Sequence, residues 1–309
     1  MNSLQLLKRI NLEHTELWLK QGLLVLVSLV FFSPQVWGQN ETVFSNYRLN
    51  PLSHNPAYAG FGDTLSLVLQ NRQQWVNMEG APKTTYVSIN SKFKSQSGLA
   101  AGYYLDEAGP MHVQLGHVDY AYQIRLNQRW HLDAGIRVSV GAIQLDFSNM
   151  SLVHSGDDSF VNNYSTGLKW NTGWGFQLRN DKGFYVSVAQ PRILKYDFGT
   201  SSGSMIDASY LIASSGMVLD LNPNLQISPS VTTMQVQGAP LNWMIDTRFT
   251  MKERLDLGLG YRSTQSFHGM LGIRLAQKYY LAYLFEMPQS TLSVVSGQTN
   301  ELGLKISFK

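Results

Sequence analysis

From Leu65 to Phe308 apolar residues recur at every second position, the period of a chain whose successive side chains point to opposite faces. The clearest run is Trp130, Leu132, Ala134, Ile136, Val138, Val140 and Ala142, interleaved with His131, Asp133, Gly135, Arg137, Ser139 and Gly141. On a helix that apolar set would spread around the whole circumference, so the segment reads as a strand. Fourteen such segments are read along the chain, near 64–75, 84–93, 97–106, 111–126, 130–143, 166–178, 183–190, 209–219, 225–235, 241–251, 254–262, 267–276, 278–286 and 299–308. Many are about ten residues long, the length a tilted strand needs to cross a bilayer.

The connections alternate in length. Short turns at 94–96, 127–129, 180–182, 221–224, 252–253 and 277 are interleaved with longer loops at 76–83, 107–110, 144–165, 191–208, 236–240, 263–266 and 287–298. Strands cross hydrocarbon only when every edge is paired, so the expected fold is all-β, a transmembrane antiparallel barrel of about 14 strands. An even strand count places both termini beside the short turns, which predicts periplasmic termini and extracellular long loops. The second face of the strands carries both signs of charge: Arg72, Lys92, Asp119, Arg125, Asp133, Arg137, Lys169, Asp246, Arg248, Asp256, Arg262, Arg274 and Lys305 alternate with the apolar set. A soluble sandwich would turn those groups to bulk water. A barrel turns them into a wet, ion-paired lumen.

Composition narrows the function. No cysteine occurs among 309 residues, which removes disulfides, thiolate metal sites, a cysteine nucleophile and a lipid-modified cysteine. Charged residues are only 15%, the net charge is +3, and no Lys/Arg cluster tracks a phosphate backbone, so nucleic acid is not an expected partner. Residues 1–38 read as a cleaved signal peptide: Lys8, Arg9 and Lys20 flank the apolar run Gly22 to Phe32, and Val36 and Gly38 mark the cleavage site. That run is too short to span a hydrocarbon core, which needs about 20 apolar residues. The expected organisation is signal 1–38, an irregular segment 39–63 and a barrel 64–309, with Trp75, Trp130, Trp174 and Trp243 in interfacial girdles. Pro229 within the strand 225–235 removes a ladder donor and predicts a bulge. The terminal strand ends on Phe308, as barrel-assembly signals do, although Lys309 follows.

Between signal and first strand lies YRLNPLSHNPAYAG, in which Asn50-Pro51 and Asn55-Pro56 start turns and Gly60 closes an irregular segment. These residues, followed by Arg72, Gln74-Trp75 and Gly80-Ala81-Pro82-Lys83-Thr84, resemble the opening of the PorP/SprF family of Bacteroidota outer-membrane proteins. A second match is Leu225 to Phe249, containing Gly238-Ala239-Pro240, continued by Leu255 to Arg262. The resemblance covers essentially the mature chain. It implies a non-enzymatic role in type IX secretion and, in some members, gliding motility, assisting export or surface retention of proteins with a C-terminal sorting domain. Implied partners are secretion subunits or a secreted adhesin's C-terminal domain, besides outer-membrane lipid. No cofactor or metal is expected.

The candidate partner-binding or family-motif residues are therefore Asn50, Pro51, Asn55, Pro56, Tyr58, Gly60, Arg72, Gln74, Trp75, Gly80, Ala81, Pro82, Lys83, Gly238, Ala239 and Pro240. The two Gly-Ala-Pro triplets read either as a platform for a partner or as plain turn chemistry. Residues 40–60 read either as a plug or as a periplasmic docking strip. Asp157-Asp158 lacks the further ordered oxygens of a calcium site. His112, His117, His131, His154 and His268 are dispersed, and no Gly-x-Ser-x-Gly elbow occurs, which speaks against a barrel hydrolase. His131 and His268 are expected in the lumen as hydrogen-bonded residues. The alternative function is a small-solute or hydrophobic-compound channel.

Overall fold

The computed structural model describes residues 44–62, 65–148, 163–197, 206–207, 209–289 and 296–308. The strands are β1 (Leu65–Gln73), β2 (Lys83–Lys94), β3 (Ser97–Ala108), β4 (Met111–Arg125), β5 (Trp130–Leu145), β6 (Lys169–Asn180) and β7 (Tyr185–Gln190). They continue with β8 (Tyr210–Gly216, resumed at Leu219–Asn222), β9 (Leu225–Val236), β10 (Asn242–Met251), β11 (Leu255–Arg262), β12 (Ser266–Leu275), β13 (Tyr279–Pro288) and β14 (Thr299–Phe308). Each pairs antiparallel with its sequence neighbour, and β1 also pairs with β14, Leu65 opposite Phe308 and Gln73 opposite Asn300. The result is a closed 14-stranded antiparallel barrel.

Alternation decides which residues face where. Ile136 is 60% exposed and Leu259 66%, whereas the inward Asp119 and Asp256 are fully buried. Val138, Ile245, Phe267 and Leu302 join the exposed apolar belt, which in water would be a large unfavourable surface and in lipid is the expected outer wall. Among the described residues no helix is long and apolar enough to cross a membrane, and here the strands do so. Trp130 is the first residue of β5 and Trp243 the second of β10, while Trp174 sits in the middle of β6, away from either strand end and so outside the expected girdle.

Besides the place of Trp174, two sequence expectations change. The connection read at 107–110 as a longer loop is the tight turn Gly109-Pro110, because β3 runs on to Ala108 and β4 begins at Met111. Pro229 produces no bulge: Ser228, Pro229 and Ser230 oppose Arg248, Thr247 and Asp246 in unbroken register. The Met217 amide donates to the Pro229 carbonyl at 3.2 Å, and proline has no N–H to return, so the partner strand β8 breaks at 217–218 instead. The register shift falls further on, between Asp220 and Asn222.

Residues 44–62 do not join the sheet. They form two single-turn 3-10 helices, Pro51–Ser53 and Pro56–Tyr58, each with proline at its first position, where a missing N–H costs nothing. The Asn55 side chain caps the second by accepting from the Ala57 amide at 2.9 Å. Phe44, Tyr47, Leu49, Leu52, Ala57, Tyr58 and Ala59 are all buried. Leu52, Tyr58 and Ala59 pack on the inward Ala100 and Ala121, and Leu49 packs on Val68, Tyr280 and Ala282.

The predicted signal peptide, Asp157-Asp158, His154 and Lys309 lie outside the described residues.

Candidate functional site

The most elaborate polar chemistry lies where the 44–62 segment meets the barrel wall. Arg72 of β1 reaches Glu286 of β13 at 3.1 Å and also pairs with Glu301 of β14. Arg262 of β11 stands 3.9 Å from Glu286. Two guanidinium groups thus face two carboxylates, a neutral set, and the segment completes it. The Ser45 and Asn46 amides donate to the two oxygens of Glu301 at 2.7 and 3.0 Å, and the Ser45 hydroxyl donates to Glu286 at 2.7 Å. Arg72 and Arg262 both donate to the Ser45 oxygen, at 2.9 and 2.6 Å. Such a buried set is tolerable because its charges balance and the segment supplies donors to both carboxylates, although the Nε of each guanidinium makes no hydrogen bond among the described residues.

A second network holds the middle of the segment. Arg137 of β5 grips Asp119 of β4 through two 2.7 Å bonds and donates onward to the carbonyls of Leu52 and Ser53 at 2.5 and 3.1 Å. His117 bridges Asp119 at 3.2 Å to the Tyr86 hydroxyl at 2.8 Å, its ring stacked on that of Tyr86. His54 is buried in the segment, with Nδ1 2.9 Å from the Ser53 hydroxyl and its ring against Tyr47. Burial, with the Arg137 cation second, pushes its pKa down to about 3. Burial likewise drives the Tyr47 and Tyr58 phenols above their usual range, so all three rings are neutral at ordinary pH.

Small residues let backbone meet backbone. Gly60 sits at φ +74 with its Cα against Gly98 of β3, where a Cβ on either would collide with the other's main chain. Gly135 of β5 faces the Pro56 carbonyl and Ala57 amide in the same way. The Gly60 amide donates to Asn90 at 2.6 Å, and Asn90 donates to the Tyr58 carbonyl at 3.2 Å. The segment therefore traverses the lumen. Ser45 lies level with Arg72, one residue from the end of β1, and Gly60 lies beside the short turn that precedes Gly98.

The motif residues separate into two groups. Asn50, Pro51, Asn55, Pro56, Tyr58, Gly60 and Arg72 are interior: Asn50 donates to Ser88 at 3.1 Å, Asn55 to the Phe176 carbonyl at 3.3 Å, and Arg72 anchors the charge cluster. Gln74, Trp75, Gly80, Ala81, Pro82 and Lys83 belong to the rim. Trp75 is 39% exposed and holds φ +44, a left-handed conformation uncommon outside glycine. The Val76 and Asn77 amides donate to the carbonyls of Gln298 and Ser296, Gln74 donates to Pro82, and the Gly109 amide donates to Gly80 at 2.8 Å. Three connections are thus tied together on one rim. Gly238, at φ +82, turns the chain between β9 and β10 with Ala239 and Pro240 half-buried.

His268 is buried on the inner face, and His131 is half-buried with Nε2 3.1 Å from Asp181. Sequence reasoning missed Glu286, Glu301 and Ser45. The two glutamates sit at inward positions of alternating strands, which was the available signal; Ser45 carried none. Among the described residues no group of histidine and acidic side chains is arranged to hold a metal.

A closed barrel with an apolar outer wall and a lumen crossed by its own chain is an outer-membrane β-barrel. The sequence identifies it further: the model of the type IX secretion system membrane protein PorP/SprF matches residues 36–306, and the chain belongs to that family. Among solved structures it is similar to the Ralstonia pickettii toluene transporter TbuX, with a TM-score of 0.52 at 10% identity over 84% of this chain and 93% of that one. It is also similar to the Acinetobacter baumannii outer membrane protein Omp33, with a TM-score of 0.45 at 11% identity over 81% and 100%. These likenesses concern the fold. No curated protein matches the chain.

Proposed function

We propose that this protein is a non-conducting, non-enzymatic outer-membrane barrel that assists the export or surface anchoring of proteins carrying a C-terminal sorting domain. In this reading residues 1–38 are removed, the short turns face the periplasm, and the long-loop rim built on Trp75, Gly80 and Pro82 meets the partner. The observation that carries it is the segment 44–62, held across the lumen by Arg72, Glu286, Glu301 and Arg262 at one level and by Asp119 and Arg137 at another. A solute path would have to displace the segment and break its hydrogen bonds to these buried charges. Family membership supplies the secretion context.

Affinity isolation of the tagged barrel from mild-detergent outer membranes tests the reading. Secretion subunits or one large adhesin should be recovered, and deletion of the gene should strip sorting-domain proteins from the cell surface while solute uptake is unchanged. An intact barrel that brings down neither, and that shows a stable open pore in a planar bilayer, would establish the channel alternative.

A further inference from the structure

Where the segment ends, at the short-turn mouth, the lumen is not filled. A cavity of about 400 Å³ opens there, within the range of ligand sites of about 300–1,000 Å³. Its floor is the segment itself, Ala57 and Ala59 to Gly62, fixed by the contact of Gly60 with Gly98. One wall is already neutralised: Arg179 of β6 pairs with Asp133 at 2.8 Å and lies 5.0 Å over the Phe61 ring, and His131 is engaged by Asp181.

The opposite wall is different. Lys92 and Lys94, at the end of β2, line the cavity, and among the described residues neither makes an ion pair; the Lys94 ammonium has only the Phe93 ring, 5.6 Å away. Lys92 follows Asn90 on the same face of β2, so its direction is set by the strand that caps Gly60. Two ammonium groups without a carboxylate partner make this side of the recess electropositive. The hydroxyls and amides of Ser95, Gln96 and Gln123 complete its lining.

The geometry points to this recess as a binding site for an acidic peptide segment that enters the lumen from the short-turn side. Carboxylates pair with Lys92 and Lys94, and the amide and hydroxyl side chains hydrogen-bond to the peptide main chain. A protein segment fits better than a lipid headgroup because the floor of the recess is the lumenal segment itself and Lys92 stands on the inward face of β2, whereas lipids lie along the outer wall. The site is a property of the barrel and stands whether or not the partner is a secretion subunit. The proposed orientation decides only that the peptide comes from the periplasm.

The test uses the full chain in detergent micelles and the anisotropy of a fluorescein-labelled hexapeptide carrying three glutamates. Binding should weaken steeply with salt and fall at least tenfold in the Lys92→Glu/Lys94→Glu double variant, with a heat-modifiable band showing that the barrel is folded. Lys278→Glu, on the same rim but against the rings of Tyr279 and Phe308 rather than the cavity, should leave binding unchanged. Equal binding of an all-glutamine peptide, an equal loss in Lys278→Glu, or full affinity in the folded double variant would each overturn the site. So would displacement of the peptide by anionic phospholipid vesicles or by inorganic phosphate at matched charge, which would make the recess a phosphate site.

Discussion

At the scale of single residues, the buried charges set the behaviour of the lumen. Removing Arg72 strands Glu286 and Glu301 with Arg262 as their remaining cation, and breaking a buried pair from one side costs about 3–5 kcal/mol. Arg72→Ala should therefore lower the unfolding midpoint of the heat-modifiable band clearly, and adding Glu301→Gln should restore part of it; an unshifted midpoint would show that water replaces the pair freely. His54 offers a pH dependence with a definite sign. Its folded pKa, about 3, lies below the ordinary 6.5, so the stability it contributes is complete above 6.5 and is lost as pH falls toward 3. The loss approaches about 1.4 kcal/mol per pH unit inside that window. Acidification from pH 7 to 4.5 should loosen the segment, seen as faster protease cleavage within residues 44–62, and His54→Gln should flatten that dependence. Equal pH slopes in the two proteins would remove His54 from the account.

At the scale of elements, the glycines of the wall decide whether the segment docks. Gly135→Val would drive its side chain into the Pro56 carbonyl without changing which face of β5 is apolar, so the barrel should fold while the segment is displaced. The expected readout is single-channel conductance above that of the parent; a variant no more conductive than the parent, with an intact barrel, would mean the wall yields instead. The rim behaves differently. Trp75 holds φ +44 because its loop is tied to Ser296 and Gln298, and such strain persists only where neighbours enforce it. Replacing Trp75 and Pro82 together should weaken partner recovery while the heat-modifiable band survives. Loss of that band would assign both residues to assembly. The strands were legible because period two is a local property. The Asn-Pro pairs were legible only as turns, since their destination, the facing backbone of β3 and β5, lies far away in sequence.

For the whole molecule, the expectation is a barrel whose lumen is closed by its own chain. Deleting residues 44–60 should raise conductance in planar bilayers above that of the full chain, and a deletion variant that folds without any such rise would show that the wall side chains close the lumen unaided. The sequence determined the class of fold: alternation from 65 to 308, short and long connections in turn, and charges at inward positions admit only a closed barrel, because an open edge cannot exist in hydrocarbon. It determined the family as well, through motifs that are contiguous in the chain. What only the tertiary structure decided is where the 44–62 segment lies and which charges meet. Arg72 and Glu286 are far apart in sequence and belong to strands separated by β14, and their meeting through Ser45 depends on barrel closure and on the path of the segment. Period and motif are written residue by residue, whereas a pairing across a lumen is a property of the closed surface.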